Sequence, residues 1–217
     1  MGYDGLLLDH DGVIVTLADR PSLRRAASDA FADAGIAEPT PEEVAAITIG
    51  VDATDVTRLG DAYGVDPETL WRHRDDRIAE TLRAATRDGR KRPYDDVSAL
   101  AGVEPPLGIV SNNQTRIVTD VLGHHGLADL FETVRARAPT LASLGRKKPE
   151  PDLLHDAMAD LGVEAPLYVG DSESDVVAAR RAGVDVAFVR RPHNADRSLA
   201  AEPTHDVESL HAVVDLL

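Results

Sequence analysis

Short apolar segments that each end in a polar turn constrain the fold of this chain more than any other feature. They lie at residues 5–8, 107–110, 167–169 and 184–189. Each has the length of one buried β-strand. Helical patterns follow at 115–123, 151–161, 175–182 and 207–216. Because strands that alternate with helices build parallel sheets, we predict an α/β fold whose parallel sheet carries helices on both faces.

The region from residue 17 to 92 differs because it contains helical patterns without a strand. These patterns lie at 22–34, 41–47, 53–63 and 67–86. Proline or aspartate precedes most of them and glycine follows several, which is typical of helix starts and stops. We therefore predict that a helical insertion, 17–92, interrupts a core formed by 1–16 and 93–217. The charged segment 89–93, which ends in proline, is the predicted hinge.

The composition excludes several classes of function. The formal net charge is −15, and no basic patch is present that would bind nucleic acid. No apolar run reaches the 18 residues of a membrane span, and no signal peptide or cysteine is found. We therefore expect a cytoplasmic protein. The acidic excess, with lysine only at Lys91, Lys147 and Lys148, is typical of halophilic proteins, because molar salt screens the repulsion.

Two aspartates follow the first predicted strand. Asp9 and Asp11 are separated by His10 and followed by Gly12. Strand alternation would direct both carboxylates to one side, at the edge where α/β sheets bind ligands. Two such acids can share a Mg²⁺ ion, or divide the roles of nucleophile and acid–base. By the same alternation, the His10 side chain should point away from both aspartates and serve a structural role.

Polar residues also follow the other predicted strands. Ser111 and Asn112 stand where a strand ends and a helix begins, a place where hydroxyl and backbone N–H groups bind phosphate. Ser111 alone would also suit a helix N-cap. Before the helix at 151–161, Lys147 or Lys148 can neutralise a phosphoryl group, and we favour Lys148, which precedes a proline.

A further pair of carboxylates, Asp171 and Asp175, follows the strand at 167–169. Asp171 lies in the turn and is a candidate ligand for Mg²⁺. Asp175 lies near the start of the next helix. It would hold a metal-bound water, orient Lys148, or interact with the helix dipole.

Together these segments resemble the motifs of the haloacid dehalogenase superfamily of hydrolases, in its phosphoglycolate-phosphatase-like branch. The matching pieces are DHDGV at 9–13, SNN at 111–113, KKPEP at 147–151 and GDSESD at 170–175. The resemblance implies a Rossmann-like core, an all-helical cap inserted after the first strand, and a Mg²⁺ cofactor. His10 departs from the family pattern, which has an apolar or aromatic residue there.

The resemblance also implies roles for the site residues. Asp9 would be the nucleophile that becomes an aspartyl-phosphate, and Asp11 would protonate the leaving alkoxide and then activate water. Ser111, Asn112 and Lys148 would bind the phosphate. The implied metal site comprises Asp9, Asp11 through its backbone carbonyl, Asp171 and Asp175.

We therefore expect a phosphatase that acts on a small phosphate monoester such as phosphoglycolate, as a monomer or homodimer. A phosphomutase resembling β-phosphoglucomutase is the alternative. It is weakened because Ala53 stands where such mutases carry arginine, three residues after a cap glycine, here Gly50. A dehalogenase would not need the acid Asp11, and a non-catalytic binding protein would have lost a motif residue. Candidate substrate-selecting residues in the insertion are Arg20, Arg58, His73, Arg74 and Arg77.

Overall fold

The centre of the structure, a computed structural model that describes residues 2–217, is a sheet of six strands. The strands are β1 (Leu6–Leu8), β2 (Leu107–Gln114), β3 (Thr133–Arg137), β4 (Leu167–Gly170), β5 (Asp185–Val189) and β6 (His205–Val207). Their order across the sheet is β3-β2-β1-β4-β5-β6. The pairings β2–β1, β1–β4, β4–β5 and β5–β6 are parallel. The predicted parallel α/β fold is confirmed.

Strand β1 lies at the centre of this sheet, which explains its composition. Leu6, Leu7 and Leu8 are fully buried, as expected of a strand that is covered on both faces. Leu8 is in register with Ile109 of β2 and Val169 of β4. The residues that follow these three strands therefore emerge at one edge of the sheet.

Two strands were missing from the prediction, β3 and β6. Their sequences, TVRAR and HDV, are polar and only partly buried. Both lie at the outer edges of the sheet, where one side of a strand has no neighbour and polar side chains reach solvent. Their patterns therefore do not resemble the apolar runs of the central strands.

The helices that belong to the sheet region lie close to their predicted positions. They are α5 (Thr115–His124), α6 (Asp152–Leu161), α7 (Glu173–Ala182) and α8 (Leu210–Val214). Helix α7 begins two residues before the predicted start, because Ser172 and Asp175 form a capping box. Within the described residues, no helix is both long and apolar enough to cross a membrane.

The chain divides into two compact units. One contains the chain up to Leu17, Arg92–Ala136 and Arg146–Leu217. Its core includes Leu7, Tyr168 and Phe188. The other contains Ala18–Lys91 and also Arg137–Gly145, a segment that we had expected in the sheet region.

The second unit is helical, and we call it the helical unit. Its helices are α1 (Arg20–Asp33), α2 (Pro41–Ala46), α3 (Ala53–Tyr63) and α4 (Pro67–Arg87). A side chain caps the start of each helix: Asp19, Thr40, Asp52 and Asp66 accept hydrogen bonds from backbone N–H groups of the first turns. Helix positions were predictable because these local signals mark the ends.

The two backbone segments that flank the insertion run side by side. The Thr16 N–H donates to the Arg92 carbonyl over 2.9 Å, and the Arg92 N–H donates to the Thr16 hydroxyl over 3.1 Å. The Tyr94 N–H donates to the Ile14 carbonyl over 3.0 Å. These hydrogen bonds hold the two connections together at the end of the predicted hinge.

A buried ion-pair cluster lies inside the helical unit. The Asp75 carboxylate is 2.8 Å from the Arg137 guanidinium and 2.9 Å from that of Arg74. Both guanidinium groups also stack on Trp71, with 4.7 Å and 5.0 Å to its ring centroid. Arg74 donates further hydrogen bonds to the carbonyls of residues 47 and 48. Arg74, one of the candidate substrate-selecting residues, is therefore held by contacts within the helical unit.

We predict that Asp75→Asn lowers the free energy of unfolding by about 3–5 kcal/mol, because it leaves two buried guanidinium groups without their shared anion. Urea denaturation in molar KCl, followed by the fluorescence of Trp71, measures this loss, since Trp71 is the only tryptophan. Asp33→Asn is the matched control, because Asp33 pairs with Arg77 at the surface. Equal losses for the two variants would contradict the prediction.

Candidate active site

Polar residues at the carboxyl ends of the three central strands meet at one edge of the sheet. Asp9 directly follows β1 and Asp171 directly follows β4, whereas Ser111, which was expected to follow its strand, lies within β2 because that strand continues to Gln114. The Asp9 N–H donates to the Val169 carbonyl over 2.9 Å and so continues the pairing of β1 with β4. All three side chains are buried. The parallel topology thus gathers residues that are far apart in the sequence.

Three buried carboxylates form a candidate metal site. Asp9, Asp171 and Asp175 each offer an oxygen, and these oxygens lie within 4.8 Å of one another. Carboxylate oxygens are the ligands that Mg²⁺ prefers. Two of the three acids, Asp9 and Asp175, contact one ammonium group, that of Lys148, so the ionised cluster carries an excess of negative charge. A divalent cation would balance this charge, and the residues fit Mg²⁺.

The electrostatics of the cluster support the same interpretation. Burial raises the pKa of Asp9 well above its usual range, although Lys148 opposes the shift. Burial also raises the pKa of Asp171 against the opposing effect of His193. Burial opposes the ionisation of Asp175 as well, but Lys148 and the hydrogen bonds from Ser172 and Tyr168 together outweigh it, and the pKa of Asp175 falls below its usual value. Without further positive charge, Asp9 and Asp171 are costly to ionise.

Lys148 is the cation at the centre of this site. Its Nζ is 2.9 Å from Asp9 Oδ1 and 2.7 Å from Asp175 Oδ1. It also donates to the Tyr168 hydroxyl over 2.7 Å and to the Val110 carbonyl over 3.0 Å. Burial opposes its charge, but the two aspartates outweigh burial and raise the pKa of Lys148. Lys148 therefore carries its positive charge inside the protein.

The three residues at the end of β2 have different partners. The Ser111 hydroxyl accepts a hydrogen bond from the Asn113 N–H over 3.1 Å. The Asn112 amide binds the backbone of Lys148 twice: it accepts from the N–H over 2.7 Å and donates to the carbonyl over 2.8 Å. Any contact of Asn112 with a phosphate therefore falls to its backbone N–H. Asn113 donates to Asp11 Oδ2 over 2.8 Å.

The orientation expected for His10 is wrong with respect to Asp11. The imidazole is fully buried, and its Nδ1 lies 3.3 Å from Asp11 Oδ2. Alternation of side chains holds only in an extended strand, and β1 ends at Leu8. The backbone then turns, so that the His10 carbonyl accepts from the N–H groups of Ile14 and Val15, both over 3.0 Å. Among the residues that the structure describes, the cluster of carboxylates that could hold a metal contains Asp9, Asp171 and Asp175, and the Asp11 carboxylate is not part of it.

Two glycines allow the carboxylates to approach the backbone closely. Gly12 has a φ of +89°, which favours glycine, and a Cβ at this position would collide with the Asp171 carboxylate. A Cβ on Gly170 would collide with Asp175 in the same way. The glycines of the first and last motifs therefore serve the packing of the acidic cluster.

The sequence analysis missed three residues that contact the cluster. Tyr168 donates to Asp175 Oδ1 over 2.8 Å. His193 Nε2 is 2.5 Å from Asp171 Oδ2, and the Asn194 amide donates to the Asp171 carbonyl over 2.9 Å. His193 and Asn194 lie in the turn after β5. That position was an available signal, because β5 is parallel to β4 and ends at the same edge.

Comparisons with known proteins agree with this geometry. Residues 6–189 match the family model described as haloacid dehalogenase-like hydrolase. Phosphoglycolate phosphatase from Yersinia pseudotuberculosis serotype I (strain IP32953) is 28% identical over 211 residues, which cover 90% of this chain and 84% of the relative. The enzyme of the same name from Vibrio vulnificus (strain CMCP6) is 33% identical over 114 residues, or 51% of this chain. That second match spans about half of the relative, 48% of its length.

Among solved structures, CbbY from Rhodobacter sphaeroides in complex with phosphate has a similar fold. Its TM-score is 0.73 with 17% identity, and the match covers 99% of this chain and 100% of that protein. At this level of identity the likeness concerns the fold alone.

We predict that Tyr168→Phe lowers the free energy of unfolding by about 1.5–3 kcal/mol, because hydrogen bonds between a buried hydroxyl and charged groups are lost. Chemical denaturation followed by circular dichroism measures the change. Tyr63→Phe is the matched control, since its hydroxyl binds Glu43 at the surface. The prediction fails if Tyr168→Phe is no more damaging than the control.

Proposed function

The chain belongs to the family of haloacid dehalogenase-like hydrolases, and we propose that it is a Mg²⁺-dependent phosphatase. It hydrolyses a small phosphate monoester of the phosphoglycolate type through an aspartyl-phosphate intermediate on Asp9. The observation that carries this proposal is the contact of Asp9 with Lys148 inside a cluster of buried carboxylates. Relatives named phosphoglycolate phosphatase support the substrate class.

Asp9 is suited to act as the nucleophile because its carboxylate is held in one orientation. Its Oδ1 accepts from the His10 N–H over 2.7 Å and lies 2.9 Å from Lys148 Nζ. Mg²⁺, held by Asp9, the Asp11 carbonyl and Asp171 with Asp175 behind them, would reduce the repulsion between carboxylate and phosphate. Asp9 then forms a bond to phosphorus while the bond between phosphorus and the ester oxygen breaks.

Lys148 would bind the phosphoryl group together with Ser111 and the Asn112 backbone. Its ammonium has three protons, and four oxygen atoms surround it: Asp9, Asp175, Tyr168 and the Val110 carbonyl. A phosphate oxygen therefore replaces one of these partners when substrate binds. Once that exchange has taken place, the buried ammonium group is positioned to stabilise the negative charge of the transition state.

Asp11 would act as acid and then as base. In the first step its carboxyl group protonates the leaving alkoxide, and in the second its carboxylate takes a proton from the water that attacks the phosphorus. Inorganic phosphate leaves and Asp9 is regenerated. Contact with Asn113 holds Asp11 near the site without placing it among the three clustered acids.

By the family resemblance, the helical unit would be the cap that selects substrate and excludes bulk water during phosphoryl transfer. Two of the candidate selecting residues, Arg58 and Arg77, form ion pairs with Asp55 and Asp33 at the surface. Arg20 and His73, like these two arginines, stay candidates for substrate contacts. Cytoplasmic location, halophilic origin and a monomeric or homodimeric state stay predictions.

We predict that Asp9→Asn lowers the turnover of p-nitrophenyl phosphate by about 10⁴-fold or more, because the nucleophile is lost. The assay is run in high KCl, with Mg²⁺ and with EDTA, and EDTA should abolish the wild-type activity. Asp129→Asn, which changes an exposed aspartate, should retain full activity. Substantial Mg²⁺-dependent hydrolysis by Asp9→Asn would exclude Asp9 as the nucleophile.

We predict that Asp11→Asn affects substrates according to their leaving groups. For alkyl phosphates, kcat/KM should fall by about 10²–10⁴-fold, because the alkoxide needs a proton. For p-nitrophenyl phosphate, whose leaving group is stable as an anion, the loss should be much smaller. Steady-state kinetics with both substrate types measure the difference, and equal losses would argue against Asp11 as the acid.

A further inference from the structure

We propose that Asn113 is a positioning residue that holds the Asp11 carboxyl group by one oxygen and thereby directs the other oxygen to the leaving group. This inference rests on the proposed function, in which Asp11 is the acid and base. Asn113 lies next to the phosphate-binding residues in the sequence. It contacts Asp11 from a different strand, across 102 positions of the chain.

The direction of the Asn113 amide is determined by its other contacts. Its Oδ1 accepts a hydrogen bond from the Gln114 N–H over 2.8 Å. Because an N–H group needs an acceptor, the amide oxygen must face Gln114. The amide nitrogen, Nδ2, therefore faces Asp11 and donates to it over 2.8 Å. The Asn113 N–H is bound to the Ser111 hydroxyl over 3.1 Å. Asn113 is thus fixed at three points.

Asp11 itself needs such an anchor. It lies in the turn after β1, and a quarter of its side chain is exposed. The terminal torsion of an aspartate has a broad, roughly two-fold energy profile, so the backbone does not decide which oxygen faces the substrate. Asn113 Nδ2 and His10 Nδ1 both approach the same oxygen, Oδ2, over 2.8 Å and 3.3 Å. The contacts of Asn113 and His10 thus act on the same oxygen of the carboxyl group.

This asymmetry has a chemical consequence. Oδ2 faces a donor in Asn113, so it serves as an acceptor, and Oδ1 is the oxygen that passes its proton to the leaving alkoxide. Asp11 is then a carboxylate, and Oδ1 takes a proton from the attacking water in the second step. Each proton that Asp11 gives in the first step is recovered in the second.

The same contacts link proton transfer to phosphate binding. The Ser111 hydroxyl is the predicted phosphate ligand, and the Asn113 N–H binds that hydroxyl. The phosphate and the acid are consequently positioned by one short segment at the end of β2. Because the Asn113 side chain binds Asp11, its loss should change proton transfer far more than substrate binding.

The test is a double-mutant cycle with Asn113→Ala and Asp11→Asn, with phenyl phosphate as substrate. If Asn113 acts through Asp11, Asn113→Ala alone should lower kcat/KM by about 10- to 100-fold, as for a lost hydrogen bond to a charged group. In the Asp11→Asn background, the same substitution should have almost no further effect. Equal effects in both backgrounds would overturn the proposal.

A second readout is the dependence on the leaving group. Asn113→Ala should affect alkyl phosphates strongly and p-nitrophenyl phosphate only slightly, with KM nearly unchanged. Thr119→Ala, an exposed change on the helix that follows β2, is the matched control and should match wild type. A uniform loss on all substrates, with normal circular dichroism, would show a general structural role and overturn the inference.

These outcomes also separate the two proposals. If wild type lacks Mg²⁺-dependent hydrolysis, or Asp9→Asn retains it, the proposed function fails and this inference fails with it. If wild type is active and Asp9→Asn is inactive, but the cycle shows additive effects, only the role of Asn113 is overturned.

Discussion

The buried ammonium of Lys148 is the interaction on which the site depends. It lies between Asp9 and Asp175 and makes it possible to bury both carboxylates. Burying an unpaired carboxylate costs several kcal/mol. Tyr168 bridges Lys148 and Asp175, and Asn112 fixes the backbone of Lys148. Contacts to both the side chain and the main chain of Lys148 thus fix the position of its positive charge.

One lysine does not balance all the acids, and this shortage has functional meaning. Asp171 contributes a third carboxylate, which His193 contacts at 2.5 Å. The protein retains an excess of negative charge in a place where apolar residues would be more stable. Functional sites commonly carry such costs. A divalent cation would complement the fixed carboxylates, and a phosphate dianion would complement that cation and the fixed ammonium of Lys148.

Much of the fold followed from local patterns, and so did the composition of the site. The central strands are apolar because both faces are covered, and the four helices of the helical unit begin at side-chain caps, so both could be predicted. The edge strands β3 and β6 were missed because exposed strands tolerate polar residues such as Arg135 and Asp206. The orientation of His10 was wrong because alternation was extended beyond the last residue of β1. Strand periodicity does not describe a turn.

The sequence by itself determined which residue types would be available and in what order. Carboxylates after β1 and β4, polar residues in the second half of β2 and a rare lysine before α6 could all be recognised by spacing. Only the tertiary structure decided which atoms meet. Asn113 reaches Asp11, His193 reaches Asp171 and Arg137 reaches Asp75 across many positions of the chain. Such contacts depend on neighbouring strands and on turn geometry, and neither leaves a periodic signal in the sequence.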